Sequence, residues 1–98
     1  MKNPPSLPQY HLESKTETAL VWTGSCILMA IEIADVDEDH TSVLNDSVAG
    51  DGTDILKVTS DATEGGRFMD FSRLGGIRFT NGIYATITGT GQEFYWIA

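Results

Sequence analysis

The residues of this chain whose types and spacing could bind a ligand or take part in a reaction are mainly acidic. The stretch Asp35-Val36-Asp37-Glu38-Asp39 is similar to the start of a calcium loop, in which carboxylates alternate along the chain. An EF-hand also needs glycine at its sixth position and glutamate at its twelfth, where this chain has His40 and Asp46. The EF-hand is therefore excluded, and a solvated acidic loop is the simplest interpretation. Looser Ca²⁺ sites stay open at two sets of residues: Asp35, Asp37 and Asp39, or Asp46, Asp51 and Asp54.

Side chains that act as nucleophiles and bases are few and far apart. Cys26 is the only cysteine, so an intrachain disulfide is excluded, and its place at the start of an apolar stretch indicates a core residue. Neither His11 nor His40 has a catalytic partner near it in sequence, and one cysteine with two distant histidines cannot form a structural zinc site. We therefore expect a protein that is not an enzyme and binds no cofactor, with a small carboxylate-based hydrolase as the last alternative.

The charge of the chain restricts its partners. Its 98 residues include 14 Asp and Glu against 6 Lys and Arg, a formal net charge of −8. Scattered basic residues and a negative net charge argue against binding to nucleic acid or to an anionic membrane. No apolar run approaches the roughly 20 residues that span a bilayer, and the N-terminal residues lack an apolar signal region. We therefore expect synthesis in the cytoplasm.

The elements that position these residues are predicted to be short strands. Apolar residues alternate with polar ones, and turns recur every 8–12 residues, as in a sandwich or barrel. Eight strands are predicted at residues 18–23, 26–34, 41–45, 55–60, 67–71, 77–79, 83–88 and 93–97. The fold class is therefore all-β: a single-domain antiparallel β-sandwich, jelly-roll-like in character.

Two details of this fold follow from local sequence. In residues 26–34, period-two spacing places Ile27, Met29, Ile31 and Ile33 on the inner face and Leu28, Ala30 and Glu32 on the outer face. The pair Asn81-Gly82 predicts a tight reversal between residues 77–79 and 83–88, because both residue types tolerate positive φ.

All three prolines lie in the first eight residues, at Pro4, Pro5 and Pro8. Proline fixes φ and pushes the preceding residue into extended geometry, so we expect an extended N-terminal arm over residues 1–16 and the sandwich over residues 17–98. The arm carries Leu7, Tyr10 and Leu12, more apolar content than a solvated tail needs. An arm that lies on a neighbouring subunit is the interpretation we develop, and a frayed terminus is the alternative.

The last predicted strand is bulky on both faces. Phe94 and Trp96 lie on one face, and Tyr95 and Ile97 on the other. A strand that is apolar on both sides in a two-layer protein indicates that something covers its outer side, and a subunit interface is the simplest cover. We assign Tyr95 and Ile97 to this interface, together with the apolar residues of the arm.

From about Ile27 to the C-terminus, the chain resembles small virion proteins of tailed bacteriophages. The most specific part is the ending, an F-x-N-G-aliphatic-Y phrase at Phe79 to Tyr84, then an alternating strand and Gly89-Thr90-Gly91, closed by an aromatic strand. The other resembling segments are residues 27–33, 43–46, 50–52, 55–58 and 66–71. The N-terminal sixteen residues and the acidic loop lie outside the resemblance.

The resemblance implies a β-sandwich module with an architectural role. Among the virion roles that it allows, we expect a head decoration (cement) protein that binds the major capsid protein on the capsid exterior, as a homotrimer. A head–tail connector or tail component is the first alternative. A carbohydrate- or receptor-binding module that uses Trp22, Tyr84 or Trp96 is the second. The resemblance supplies no catalytic residues, and the predicted capsid or subunit interface is Leu7, Tyr10, Leu12, Tyr95 and Ile97.

Overall fold

The computed structural model describes residues 10–98, which form nine strands. The strands are β1 (His11–Lys15), β2 (Ala19–Thr23), β3 (Cys26–Ala34), β4 (His40–Asp46), β5 (Thr53–Ser60), β6 (Arg67–Asp70), β7 (Ile77–Phe79), β8 (Gly82–Thr88) and β9 (Gln92–Ile97). Within the described part of the chain, the only helical segment is a single 3₁₀ turn at Ser72–Leu74.

The strands form two antiparallel sheets that pack face to face. Sheet A has the order β1-β9-β3-β6, with β7 also pairing with β3, and sheet B has the order β2-β8-β4-β5. Apolar side chains from both sheets meet between them, among them Leu28, Ile31, Leu44, Ile83 and Tyr95, all fully buried. The predicted all-β antiparallel sandwich is confirmed.

Strands β2 to β9 correspond to the eight strands predicted from alternation and turns. Strand β1 lies inside the segment expected to be an arm, and it pairs with β9 from His11–Ile97 to Lys15–Glu93. Sheet A thus begins at His11. Residues 1–9, including Leu7 and the three prolines, lie outside the described residues.

A β-bulge in β3 changes the faces predicted for its residues. Leu28 pairs with Ile97 and Ala30 with Trp96, so Met29 is an extra residue in β3. An extra residue reverses the inside–outside alternation beyond it. Leu28 is therefore fully buried in the core rather than on the outer face as predicted, while Ile31 is inward as expected.

The bulge also divides the edge of sheet A. β7 pairs with residues 26–28 of β3 and β6 with residues 30–33, and the backbone N–H of Phe71 donates to the Met29 carbonyl at 2.8 Å. The chain between β6 and β7 turns through the 3₁₀ segment and then through Gly75 and Gly76. The two glycines both have positive φ. This turn brings Ser72 close to the outer face of the sheet.

The Asn81-Gly82 reversal does not form a hairpin. β7 belongs to sheet A and β8 to sheet B, so the chain crosses between the sheets at this point. The Asp46 carboxylate holds the crossing, because it accepts hydrogen bonds from the backbone N–H groups of Thr80 and Asn81 and from the Thr80 hydroxyl at 2.7–3.1 Å. The tight reversal predicted at this point is a bend at which the chain changes sheet, and the Asp46 carboxylate, distant in sequence, holds it.

Candidate functional site

The outer face of sheet A carries a continuous apolar surface. Residues that pair directly across antiparallel strands point to the same face. Two rows of outward side chains therefore cross β1, β9, β3 and β6: Leu12, Trp96, Ala30 and Asp70 in one, and Ser14, Phe94, Glu32 and Phe68 in the other. Five of these eight residues are apolar, on a face that has no second layer in the described part of the chain.

Several of these apolar side chains are open to solvent. Leu12 is 56% exposed, Phe68 55% and Tyr10, which immediately precedes β1, 41%. Phe68 and Trp96 contact each other edge to face, with ring centroids 5.8 Å apart and planes at 81°. Contiguous exposed aromatic and aliphatic surface of this kind is a candidate contact site. We call this outer face, with Tyr10, the apolar face of sheet A.

A groove of about 300 Å³ runs over the apolar face. It is lined by Tyr10, Met29, Ala30, Phe68, Asp70, Ser72 and Trp96. Three aromatic rings form its walls, and a single carboxylate lies at its rim. We call it the aromatic groove.

The carboxylate at the rim of the groove stays ionised. Asp70 accepts a hydrogen bond from the backbone N–H of Ser72 at 2.9 Å. Hydrogen bonds from the backbone and then the side chain of Ser72, with the nearby Arg73 charge, lower the pKa of Asp70. The groove thus combines apolar walls with one negative charge.

The structure divides the predicted interface residues into two groups. Tyr10 and Leu12 lie on the apolar face, whereas Leu7 is outside the described residues. Tyr95 and Ile97 are fully buried between the sheets, so their assignment to an interface was wrong. The reason is the alternation of β9: the inner face holds Glu93, Tyr95 and Ile97.

The inner face of β9 also takes part in a buried polar cluster. Glu93 Oε2 lies 2.5 Å from His40 Nε2, and Glu93 Oε1 accepts hydrogen bonds from the hydroxyls of Ser42, at 2.7 Å, and Tyr95. His40 Nδ1 lies 2.7 Å from the carbonyl oxygen of Thr90. All four side chains are almost completely buried. We call them the His40–Glu93 cluster.

The hydrogen bonds of the cluster dictate where its protons lie. The Thr90 carbonyl can only accept, so His40 Nδ1 must carry a proton. One further proton lies between His40 Nε2 and Glu93 Oε2, as either an imidazolium–carboxylate pair or a neutral imidazole with a carboxylic acid. Both arrangements are electrically neutral overall, which limits the cost of burying two ionisable groups.

The cluster lacks the geometry of a nucleophilic site. The Ser42 hydroxyl donates to Glu93 and not to the His40 imidazole, and it is fully buried, so it lacks both the histidine partner and the access of a serine nucleophile. Burial first, and then the charge of Glu93, raise the pKa of Tyr95, which therefore stays protonated as a hydrogen-bond donor. The cluster joins β4 of sheet B to β9 of sheet A.

Sequence reasoning missed this cluster because its members are about fifty residues apart. The available signal was alternation: His40 and Ser42 are two residues apart on β4, and Glu93 and Tyr95 two residues apart on β9. Polar residues at inward positions of two strands indicate a buried network, because an isolated buried charge is too costly.

The acidic loop and its neighbours are held by backbone contacts. Thr90 Oγ1 accepts from the N–H groups of Asp37 and Glu38 at 3.0 and 3.1 Å. In the second candidate calcium set, Asp46 contacts the β7–β8 crossing and Asp54 accepts from the Asn45 amide. Within residues 10–98, no group of three or more His, Cys, Asp or Glu residues is arranged to hold a metal ion.

Asp46 and Cys26 illustrate opposite electrostatic environments. Hydrogen bonds from the Asn81 backbone and from the Thr80 side chain and backbone lower the pKa of Asp46. Burial, and then the negative charge of Asp46, raise the pKa of Cys26 to about 11. Cys26 is buried in the core as predicted, and its thiol is protonated at neutral pH.

No family model, no curated protein and no solved structure matches this chain. Over the residues that the structure describes, no helix is both long and apolar enough to cross a membrane.

Proposed function

We propose that this protein is an architectural binding module, a capsid decoration protein that stabilises the head of a tailed bacteriophage from outside. The observation that carries the proposal is the apolar face of sheet A. Leu12 and Phe68 are each more than half exposed there, although a domain of this size has few apolar residues to spare. Burial of this face against a protein surface supplies the binding energy.

The partner in this proposal is the major capsid protein, together with further copies of the chain. Apolar side chains transferred from water to an interface contribute roughly 25 cal/mol per Å² of area. A ligand that binds the assembled shell but not its dissociated subunits stabilises the shell by mass action. The module needs no chemical step to act.

The net charge of −8 supports a position away from packaged DNA. Like charges repel the polyanion, whereas the apolar face retains its affinity for a protein surface at physiological ionic strength. The capsid exterior is the compartment of the virion that fits this charge. Lateral contact between copies, in a homotrimer, adds effective concentration to each individual contact.

The number of copies per virion tests the proposal against a head–tail connector. A decoration protein occupies the many equivalent positions of the shell, and a connector forms one ring of about six to twelve subunits at one vertex. Quantitative mass spectrometry of purified particles that carry this chain measures the ratio to the major capsid protein. We expect a near-stoichiometric ratio of this chain to the major capsid protein. A total of about six to twelve copies per particle would overturn the assignment to the shell exterior.

The aromatic groove favours one other function, a carbohydrate-binding module. Trp96 and Phe68 present ring surfaces beside the Asp70 carboxylate, a combination that can stack on a sugar and hydrogen-bond to it. The other aromatic candidates, Trp22 and Tyr84, are half-buried away from this groove. Saturable binding on a glycan array that is lost in Trp96→Ala would favour this function over capsid decoration.

A further inference from the structure

We propose that the aromatic groove binds the proline-containing segment of a second copy of this chain, residues 4–8, with the sequence PPSLP. The inference rests on one part of the proposed function, namely that copies of the chain assemble with one another. It names the contact between those copies. The groove and the segment are then the two halves of a repeating subunit contact.

The chemistry of the groove suits a proline-rich segment. Such segments adopt the polyproline II conformation, which has no internal hydrogen bonds and costs little entropy to order. They dock in grooves lined by aromatic rings, where proline rings pack against the aromatic faces. Tyr10, Phe68 and Trp96 supply such rings, and the small side chain of Ala30 lies among them. The segment contains Pro5-Ser6-Leu7-Pro8, the P-x-x-P spacing that these grooves recognise.

The lengths of groove and segment agree. The groove extends from Tyr10, beside β1, across Trp96 on β9 and Ala30 on β3 to Phe68 on β6. Neighbouring strands lie about 4.8 Å apart, so three strand spacings amount to roughly 14 Å. A polyproline II chain rises about 3.1 Å per residue, so about five residues cross this distance. Residues 4–8 provide that number.

The same segment is poorly placed to enter the groove of its own chain. Tyr10 forms one end of the groove, and Gln9 alone separates it from Pro8. A chain reversal takes about four residues, whereas Pro8 fixes its own φ and keeps Leu7 extended. The proposal therefore assigns the segment to the groove of a neighbouring copy rather than to the groove of its own chain.

A contact between two different surfaces of the same molecule has a definite consequence for symmetry. Each copy offers one segment and one groove, so the contact is heterologous, and any closed cyclic assembly, from a reciprocal dimer upward, uses every segment and every groove. A homotrimer satisfies every segment and every groove. Each chain carries a charge of −8, so we expect this self-association to strengthen as salt screens the repulsion.

Cysteine cross-linking between two full-length variants tests the contact directly. Leu7→Cys places a thiol in the segment, and Ser72→Cys places one at the wall of the groove. The native Cys26 is buried, and the pKa of its thiol is raised to about 11, so it does not compete. The two variants are mixed in 0.15 M salt under mild oxidation, and peptide mass spectrometry identifies the linked pair.

We expect the 7–72 disulfide between two chains to accumulate at least several-fold above a matched control, in which Ile55→Cys on β5 replaces Ser72→Cys. Adding Pro5→Ala and Pro8→Ala to the Leu7→Cys chain should reduce the yield toward that control. A yield equal to the control overturns the proposal. A third variant carries both Leu7→Cys and Ser72→Cys in one chain. If the 7–72 link forms within that chain but never between the mixed single variants, the assignment to a second copy is overturned. No capsid is present, so the outcome is independent of whether the protein decorates a shell.

Discussion

At the scale of single residues, a small polar cluster lies inside the apolar core, and a group of apolar side chains lies exposed on one surface. Glu93 is fully buried, yet both of its oxygens are hydrogen-bonded, to His40 on one side and to Ser42 and Tyr95 on the other. Phe68, by contrast, is more than half exposed. A satisfied buried network contributes to a unique arrangement of the two sheets, whereas the Phe68 ring keeps most of its surface in solvent and contacts Trp96 only at an edge.

The His40–Glu93 cluster yields a prediction that separates charge from hydrogen bonding. His40→Ala removes the partner of a buried carboxyl group and should lower the free energy of unfolding by about 3 kcal/mol. Glu93→Gln should cost about 1 kcal/mol or less, because the amide can donate to a neutral His40 while its oxygen still accepts from Ser42 and Tyr95. Urea denaturation at pH 7 measures both values.

Ser60→Ala is the matched control for these substitutions. The Ser60 hydroxyl is buried and has no hydrogen-bond partner among residues 10–98, so its removal should leave stability unchanged or slightly raised. If Glu93→Gln proved as damaging as His40→Ala, the proton assignment in the cluster would be wrong.

Asp46 provides a pH-dependent prediction. Its pKa is lower in the folded protein than in the unfolded chain, where carboxylates of this type titrate near 3.9. Its contribution to stability is therefore complete above about pH 4 and is lost as the pH falls through the lower folded-state pKa. Asp46→Asn should lower the melting temperature at pH 7, and the difference from wild type should shrink below pH 4.

Asp51→Asn serves as the control for this pH series, because it changes an exposed carboxylate in the neighbouring β4–β5 turn. Thermal unfolding followed by circular dichroism gives the comparison. A difference between wild type and Asp46→Asn that stayed constant from pH 7 to pH 2.5 would contradict the role assigned to the ionised carboxylate.

At the scale of elements, alternation and turn residues were enough to predict eight strands and the sandwich, because those signals are local. The bulge at Met29 was not predictable in this way, since it depends on how β3 pairs with β9. The missed strand β1 has the same explanation. Its residues His11–Lys15 have no strong alternation, and pairing with the edge of β9 makes them a strand. Tyr95 and Ile97 of β9 were assigned to an interface but lie between the sheets, for a related reason. Both faces of β9 are apolar, and only packing against the other sheet decides which face is inside.

The turn between β6 and β7 yields a prediction at this scale. A Cβ at Gly76 would lie 2.3 Å from Ile27 Cγ2 and 2.7 Å from Met29 Sδ, next to the bulge, whereas nothing lies within 4 Å of a Cβ at Gly75. Both glycines have positive φ, at +85° and +79°. Gly75→Ala should therefore cost about 1–2 kcal/mol through φ alone, and Gly76→Ala distinctly more.

Chemical denaturation of the two alanine variants, side by side, measures this difference. Because the backbone cost is nearly the same at both positions, the excess at Gly76 reports the close packing of the turn against β3. Equal destabilisation of the two variants would show that the turn does not pack against the bulge as described.

At the scale of the whole molecule, the apolar face and the net charge of −8 act together. A negative charge of this size repels polyanions and opposes non-specific association, whereas the apolar face is the surface that the proposal places against a partner. The two apolar faces of the last strand predicted an apolar outer face, which the structure shows, and a partner that covers it stays a prediction. The sequence could not say which residues lie there, because the faces of β9 and β3 are decided by the register between strands. Tyr10 and Leu12 were found from the sequence, and Phe68 and Ser72 only from the structure.

Binding to phage heads that lack the protein tests the central proposal most directly. Wild-type protein and Ile55→Ser, which removes a similar exposed aliphatic side chain from sheet B, should occupy the heads to the same level. Leu12→Ser, on the apolar face of sheet A, should reduce occupancy at a fixed protein concentration several-fold, because it removes roughly 1–2 kcal/mol of apolar burial at the interface. Sedimentation with quantitative gel analysis measures the copies bound per head. Occupancy by Leu12→Ser equal to that of Ile55→Ser, or no binding by the wild-type protein, would contradict the account.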